Sequence, residues 1–168
     1  MKIAVEAAKK LDKVIIVPRI CDYYRPDSRK LFTFDEKVAI ITQMISNAPG
    51  NIVIDCLEKD KDSKWRTVNT VEHFKKLYPN DELYLIIGED SYKNFLTWFR
   101  YEDILLMATL MVVQRGNNSR EDVEKVVPCE KLNIGNDFLE SSSTKVRNKL
   151  ISELMEMYLS DAEWYNNL

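Results

Sequence analysis

Short apolar runs alternate along the chain with longer stretches in which apolar and polar positions recur at helical spacing. The runs are rich in β-branched and aliphatic residues and are apolar on both alternating faces, as strands covered by helices on both sides must be. They lie at residues 14–17, 52–54, 83–87 and 110–113, with a weaker fifth at 131–134. This alternation predicts repeated βα units and an α/β domain with a mostly parallel sheet.

The stretches between these runs carry signals of helix starts. Thr33 is followed by Glu36, and Asn69 by Glu72, at the spacing at which a capping side chain and a returning carboxylate satisfy free backbone donors. Each start is followed by one apolar stripe, formed by Val38, Ile41 and Ile45 in the first helix and by Val71, Phe74 and Tyr78 in the second. These stripes predict helices that lie on the sheet. A further helix is predicted at residues 3–11 without a capping residue before it.

Composition indicates one globular domain over residues 1–168, with 45% hydrophobic and 30% charged residues. No apolar run approaches the roughly 20 residues of a membrane-spanning helix. A net charge of −3 provides no basic field for nucleic acid. We therefore expect neither a membrane nor a nucleic acid as a partner. The three cysteines are far apart and form no CxxC pair, which predicts a reducing, cytoplasmic location and buried thiols that serve packing.

Glycine and histidine are scarce, and their scarcity excludes several kinds of site. The four glycines are widely scattered, so the chain contains neither a Walker A loop nor a GxGxxG fingerprint. The single histidine, His73, cannot form a two-histidine metal site or an HExxH helix. It falls within a predicted helix, away from any strand end, which is typical of a surface or boundary histidine. A phosphate site in this chain must therefore be built without a glycine-rich loop.

The most specific candidate site is the hydroxyl-rich segment at residues 141–147, SSSTKVR. Its hydroxyls precede a predicted helix, where free backbone N–H groups and the positive end of the helix dipole favour anions. Arg147, about one turn into that helix, offers a planar fork to phosphate oxygens. The alternative interpretation is an ordinary helix cap with spare serines.

Further candidates lie where predicted strands end. Ligands of open parallel sheets bind beyond these ends, where Gly88 would let a ligand approach the backbone and Asp90 could accept from ribose hydroxyls. The alternative for Asp90 is a helix cap. Lys30 and Arg115 follow other strand ends and could hold phosphate, although isolated loop cations are usually only solvated. Trp98 offers an indole face to a planar base, or packs in the core.

One more segment, at residues 58–64, is rich in charges of both signs. Charge runs of this kind are usually solvated, so we predict a surface loop here and no binding patch.

Together these segments resemble the nicotinate and nicotinamide mononucleotide adenylyltransferases of the nucleotidylyltransferase superfamily. The strongest match is residues 142–147, SSTKVR, which is similar to the family's SSTxIR signature. Weaker matches follow in the family's order and spacing at residues 17–18, 66–70, 77–81, 86–90, 97–99 and 115–116. The resemblance implies a Rossmann-like fold, which is an open, mostly parallel sheet with helices on both faces.

The resemblance also implies a reaction in NAD biosynthesis. The adenylyl group of ATP would pass to nicotinate or nicotinamide mononucleotide, giving the dinucleotide and pyrophosphate without a covalent enzyme intermediate. The implied ATP ligands are Gly88, Asp90, Ser142, Ser143, Thr144 and Arg147. The implied contacts of the pyridine nucleotide are Thr67, Thr70 and Trp98, with Lys30 and Arg115 as auxiliary phosphate contacts. Arg147 would stabilise phosphate charge, and Mg²⁺ would be held through the ATP phosphates.

One departure from the family matters for catalysis. The family's first strand and its GGxFxPxHxGH loop have no counterpart in this sequence, which implies an N-terminally truncated single domain with a gap between two neighbouring strands. No catalytic residue is identified, and we expect nucleotide binding without useful turnover. Two alternatives stay open. The chain could be a non-catalytic nucleotide- or partner-binding remnant of the fold, or a nucleotidylyltransferase with a pantetheine phosphate or cytidylyl acceptor.

Overall fold

The computed structural model describes residues 1–19, 32–62, 64–114 and 127–134. The helices are α1 (Lys2–Ala8), α2 (Phe34–Ile45), α3 (Thr67–Leu77), α4 (Glu89–Lys93) and α5 (Tyr101–Met107), with a 3-10 helix at Phe95–Thr97. The strands are β1 (Val14–Ile16), β2 (Ile52–Ile54), β3 (Tyr84–Gly88), β4 (Thr109–Gln114) and β5 (Glu130–Asn133). The five predicted strands are confirmed, each within about one residue at either end.

The described strands form two parallel sheets instead of one. β1 pairs with β2, and Val14 lies opposite Ile52. β4 is the central strand of the second sheet, in which Val113 lies opposite Gly88 of β3 and Leu132 of β5. All pairings are parallel, which confirms the α/β class. The predicted sheet is divided between β1 and β3, and these two strands border the same cavity.

Two apolar clusters cover the two faces of β4. The first contains buried side chains of α3, α4, the 3-10 helix, α5 and the sheet, among them Val68, Tyr92, Phe95, Ile104, Leu110 and Val112. The second joins both sheets to α1 and contains Ala7, Val14, Ile52, Met111, Val113, Leu132 and Ile134. Consecutive β4 residues alternate between the clusters because successive side chains of a strand point to opposite faces. The expectation of helices on both faces is therefore confirmed.

The start of α2 is the capping box that the sequence predicts. The Glu36 backbone N–H donates to Thr33 Oγ1 at 3.2 Å, and the Glu36 carboxylate accepts from the Thr33 N–H at 2.7 Å. The Thr33 backbone N–H and then its hydroxyl stabilise the charged carboxylate, which lowers the pKa of Glu36. This cap fixes the start of α2 at Phe34.

The start predicted for α3 at Asn69 is wrong. The helix begins at Thr67, after Arg66, and the Asn69 side-chain oxygen accepts from the Arg66 N–H at 2.9 Å. Asn69 therefore occupies the returning position of the cap, since its short amide can reach back to the backbone as a glutamate would. This earlier start places Thr67 in the first turn of α3.

The predicted burial of the cysteines is also wrong in part. Cys56 is exposed and Cys129 is half-buried, and both are free thiols, while Cys21 lies outside the described residues. Cys56 stands in a polar turn in which the Asp55 carboxylate accepts from the Leu57 N–H at 2.8 Å. Polar turns lie at the surface of a protein, and the Cys56 thiol is exposed because it belongs to such a turn. His73 is exposed, as predicted. In the described part of the chain, no helix is long and apolar enough to cross a membrane.

Candidate functional site

A cavity of about 850 Å³ opens between β1 and β3. It runs from Lys13 and Leu83, just before these strands, to Arg19 and Ile87 at their carboxyl ends. Apolar side chains of the two strands form much of its wall. Polar side chains line both ends of the cavity: Lys10, Asp12, Lys13, Asn80, Asp81 and Glu82 before the strands, and Arg19, Glu58, Thr67 and Thr70 toward the carboxyl ends. Ligand sites of parallel α/β sheets lie at such ends, and their volumes commonly range from about 300 to 1,000 Å³.

Three of the predicted substrate contacts line this cavity. Thr67 and Thr70 belong to the first turns of α3, whereas Trp98 follows the 3-10 helix that comes after α4. The fold therefore brings together residues from two separate elements, as the resemblance implies. Their contact with a substrate stays a prediction.

Trp98 packs in the core and also presents part of its side chain to the cavity. Its ring lies 5.3 Å from that of Phe95, centroid to centroid, and packs against the first apolar cluster. The side chain is nevertheless only half-buried and lines the cavity. A planar ligand could therefore stack on an indole that the core already holds in place.

Glu58 was predicted in a solvated loop, and that prediction is wrong. The residue is only 8% exposed, and its carboxylate is partnered on both sides. Thr70 Oγ1 donates to Glu58 Oε1 at 3.0 Å, and Arg19 Nε lies 3.8 Å from Glu58 Oε2. Buried carboxylates require such partners, which here come from other elements of the fold. All three residues line the cavity.

This arrangement limits what Thr70 can do. The hydroxyl donates its proton to Glu58 and accepts from the Trp65 indole N–H at 2.9 Å. Because a hydroxyl has one proton and two lone pairs, a ligand could reach only the remaining lone pair. Thr70 therefore holds the loop between β2 and α3 against the helix. Sequence reasoning missed Glu58 and Trp65 because no motif separates them from the neighbouring charged residues.

Replacing Thr70 with valine is expected to lower the free energy of unfolding by about 1 to 3 kcal/mol, because the buried carboxylate and the indole N–H lose their shared partner. The midpoint of urea unfolding measures the loss. Thr70→Ser keeps the hydroxyl and serves as the matched control, with stability near that of the wild type. Equal midpoints for Thr70→Val and Thr70→Ser would contradict the assigned hydrogen-bond network.

Gly88 and Asp90 lie beyond the carboxyl end of the apolar run in β3. Gly88 has a φ of −79°, which any residue adopts, and a Cβ added there would meet no atom within 4 Å. Neither backbone strain nor packing among the described residues requires a glycine, and these residues leave the space in front of it open. Asp90 is exposed in the first turn of α4 and is not the cap, since Gly88 occupies that position.

The other predicted site residues lie outside the described residues, and their roles stay predictions. They are Lys30, Arg115, Ser142, Ser143, Thr144 and Arg147. Over residues 1–19, 32–62, 64–114 and 127–134, no group of three His, Cys, Asp or Glu side chains is placed to hold a metal ion.

Comparison with known families agrees with the fold. The sequence model of the cytidylyltransferase-like family matches residues 1–149. The chain belongs to this family. The match covers every helix and strand of the described structure and also the hydroxyl-rich segment at residues 142–147.

Relatives of this cytidylyltransferase-like chain are described as probable nicotinate-nucleotide adenylyltransferases. The protein of Campylobacter fetus is 30% identical over 84% of the chain and 72% of its own length. The protein of Borrelia garinii is 30% identical over 92% of the chain and 76% of its own length. The chain spans 59% of the length of the Citrifermentans bemidjiense relative, which is 27% identical.

Solved structures extend the likeness to the backbone. A Plasmodium falciparum nicotinic acid mononucleotide adenylyltransferase complexed with APC superposes with a TM-score of 0.60 at 18% identity. That comparison covers 85% of this chain and 69% of the other. The complex of the Plasmodium falciparum enzyme with NaAD gives the same TM-score at 19% identity. At this level of identity the comparison supports the Rossmann-like fold.

Proposed function

We propose that this chain binds ATP and nicotinate mononucleotide and transfers the adenylyl group of ATP to the mononucleotide. The observation that carries the proposal is the meeting of Thr67 and Trp98 on one cavity, at the strand ends where parallel sheets bind ligands. The descriptions of the 30% identical relatives support the choice of substrates.

The proposed reaction needs alignment more than covalent chemistry. A phosphate oxygen of the mononucleotide attacks the α-phosphorus of ATP, the bond from that phosphorus to the bridging oxygen breaks, and pyrophosphate leaves. Such a step is accelerated by holding the two phosphates in line and by stabilising the charge that develops between them. Mg²⁺ would arrive as part of the ATP complex and neutralise phosphate charge.

We propose the following division of the site. The pyridine ring of the mononucleotide lies on the indole of Trp98, within hydrogen-bond reach of Thr67. The adenylate ribose lies in the open space at Gly88, with Asp90 as an acceptor for its hydroxyls. The ATP phosphates lie at residues 142–147, with Arg147 as the charged donor. We also propose a cytoplasmic location, because an exposed free thiol such as Cys56 stays reduced there.

Nucleotide binding without turnover is a second candidate. The one histidine of the sequence, His73, is exposed on α3 and is not among the residues that line the cavity. The cavity, as the described residues line it, therefore contains no histidine that could donate a proton to a phosphate. Binding and turnover consequently have to be measured separately.

Titration calorimetry with nicotinate mononucleotide and with MgATP tests binding, and release of pyrophosphate from the mixture tests transfer. We expect micromolar to millimolar binding of both, and weaker binding of the mononucleotide by roughly tenfold in Trp98→Ala, since a stacked aromatic contact is lost. Phe99→Ala, which removes a neighbouring exposed ring, is the control. Absence of binding of either nucleotide would refute the proposal, and binding without pyrophosphate would favour the second candidate.

A further inference from the structure

The side chain of Gln114 carries a buried hydrogen-bond donor without an acceptor. Gln114 is the last residue of β4 and is only 7% exposed. Its amide nitrogen, Nε2, has no hydrogen-bond partner in the described part of the chain. A buried donor left without an acceptor costs free energy, and native structures contain few of them. Such a group requires an explanation, and a ligand that supplies the missing acceptor is one.

The position of Gln114 points to the strand ends of the proposed site. β4 is the central strand of its sheet, and Val113 lies opposite Gly88, so Gln114 lies one residue beyond the row that contains Gly88. Alternation along the strand places its side chain on the same face as Leu110 and Val112. That face belongs to the cluster which includes Tyr92 of α4, the helix that also carries Asp90.

We infer that Gln114 is a nucleotide-binding residue whose Nε2–H donates to an acceptor atom of ATP bound at this edge of the sheet. The inference rests on the proposed function, which places the adenylate at Gly88 and Asp90. An amide donor recognises a ring nitrogen or an oxygen of the nucleotide, and it carries no charge of its own. The protein encloses the donor in this structure, so the side chain has to turn toward the strand ends for the nucleotide to pair with it.

This inference predicts that Gln114→Met affects stability and affinity for MgATP in opposite directions. The substitution keeps the length of the side chain and removes the amide. Without nucleotide, the variant unfolds at the same temperature as the wild type or at a higher one, because the unpaired donor is gone. With MgATP, its Kd rises roughly tenfold, because the hydrogen bond of the complex is lost. The Kd for nicotinate mononucleotide stays at the wild-type value.

Thermal unfolding and titration calorimetry of the 168-residue chain measure both effects, with MgATP and nicotinate mononucleotide as probes. Gln43→Leu, which removes the only other glutamine of the chain from an exposed position on α2, is the matched control. If Gln114→Met does not fold, Gln114→Leu replaces it.

Wild-type affinity for MgATP in Gln114→Met would overturn this inference and leave the proposed function standing. So would a lower unfolding temperature together with equal losses for both nucleotides, which a purely structural role would produce. A loss confined to the mononucleotide would also overturn it, because the donor would then face the other substrate. If the wild-type chain binds neither nucleotide, the proposed function fails and the inference fails with it.

Discussion

Arg147→Ala is expected to weaken the binding of MgATP by roughly ten- to hundredfold, the range in which a hydrogen bond to a charged partner falls. Arg147 ends the SSTKVR segment and would offer two parallel N–H groups to phosphate oxygens. The hydroxyls of Ser142, Ser143 and Thr144 would contribute only dipoles. Arg147 would be the charged donor at a fixed position of the family signature. Its removal should therefore reduce affinity for triphosphates most.

Lys145→Ala is the matched control for this experiment, since Lys145 occupies the variable position of the signature and its loss changes the net charge by the same amount. Titration calorimetry at two salt concentrations separates a specific contact from general attraction, because screening weakens general attraction more strongly. Equal effects of Arg147→Ala and Lys145→Ala would show that the segment acts only through its charge. Wild-type affinity in Arg147→Ala would remove the case for a phosphate cradle.

Phe95→Ala is expected to lower the free energy of unfolding by about 3 to 5 kcal/mol, because it deletes a fully buried aromatic ring and leaves a cavity. The ring lies at the centre of the first cluster, 5.3 Å from Trp98 and 6.0 Å from Tyr101 between centroids. The same substitution removes the support of Trp98, so the binding of nicotinate mononucleotide should weaken as well.

The midpoint and slope of urea unfolding measure the change in stability, and fluorescence follows the tryptophan environment. Phe99→Ala removes a ring that is 60% exposed and should change stability by less than about 1 kcal/mol. Phe95→Leu, which refills most of the volume, should recover much of the loss and remains measurable if Phe95→Ala is unfolded. Equal midpoints for Phe95→Ala and Phe99→Ala would contradict the placement of the core.

The strands were predictable because their signal is local. A short run of aliphatic and β-branched residues that is apolar on both faces has few stable arrangements other than a strand covered on both sides. The cap at Thr33 was predictable for the same reason, since both of its partners lie within one turn. The start of α3 was not predictable in this way. The Asn69 side chain could act as the first cap or as the side chain that returns to the cap, and the structure shows the second role.

The residues of the candidate site also differ in whether their signal is local in the sequence. Thr67, Trp98 and Gly88 are predicted from motifs that lie in order along the chain, and their contacts with substrates stay predictions. Glu58 was missed because its burial depends on Thr70 and Arg19, which belong to other elements. Nothing in the loop sequence distinguishes a carboxylate that will be paired in the interior from one that stays in water.

The sequence by itself determined the α/β class, the positions of the strands and the family motifs at their carboxyl ends. These features arise from periodicity and spacing, which act over a few residues. Only the tertiary structure decided that β1 and β3 border one cavity, that Glu58 is buried, and that the amide of Gln114 lacks an acceptor among the described residues. Those features depend on which distant segments meet, because burial and hydrogen-bond pairing are properties of the packed chain.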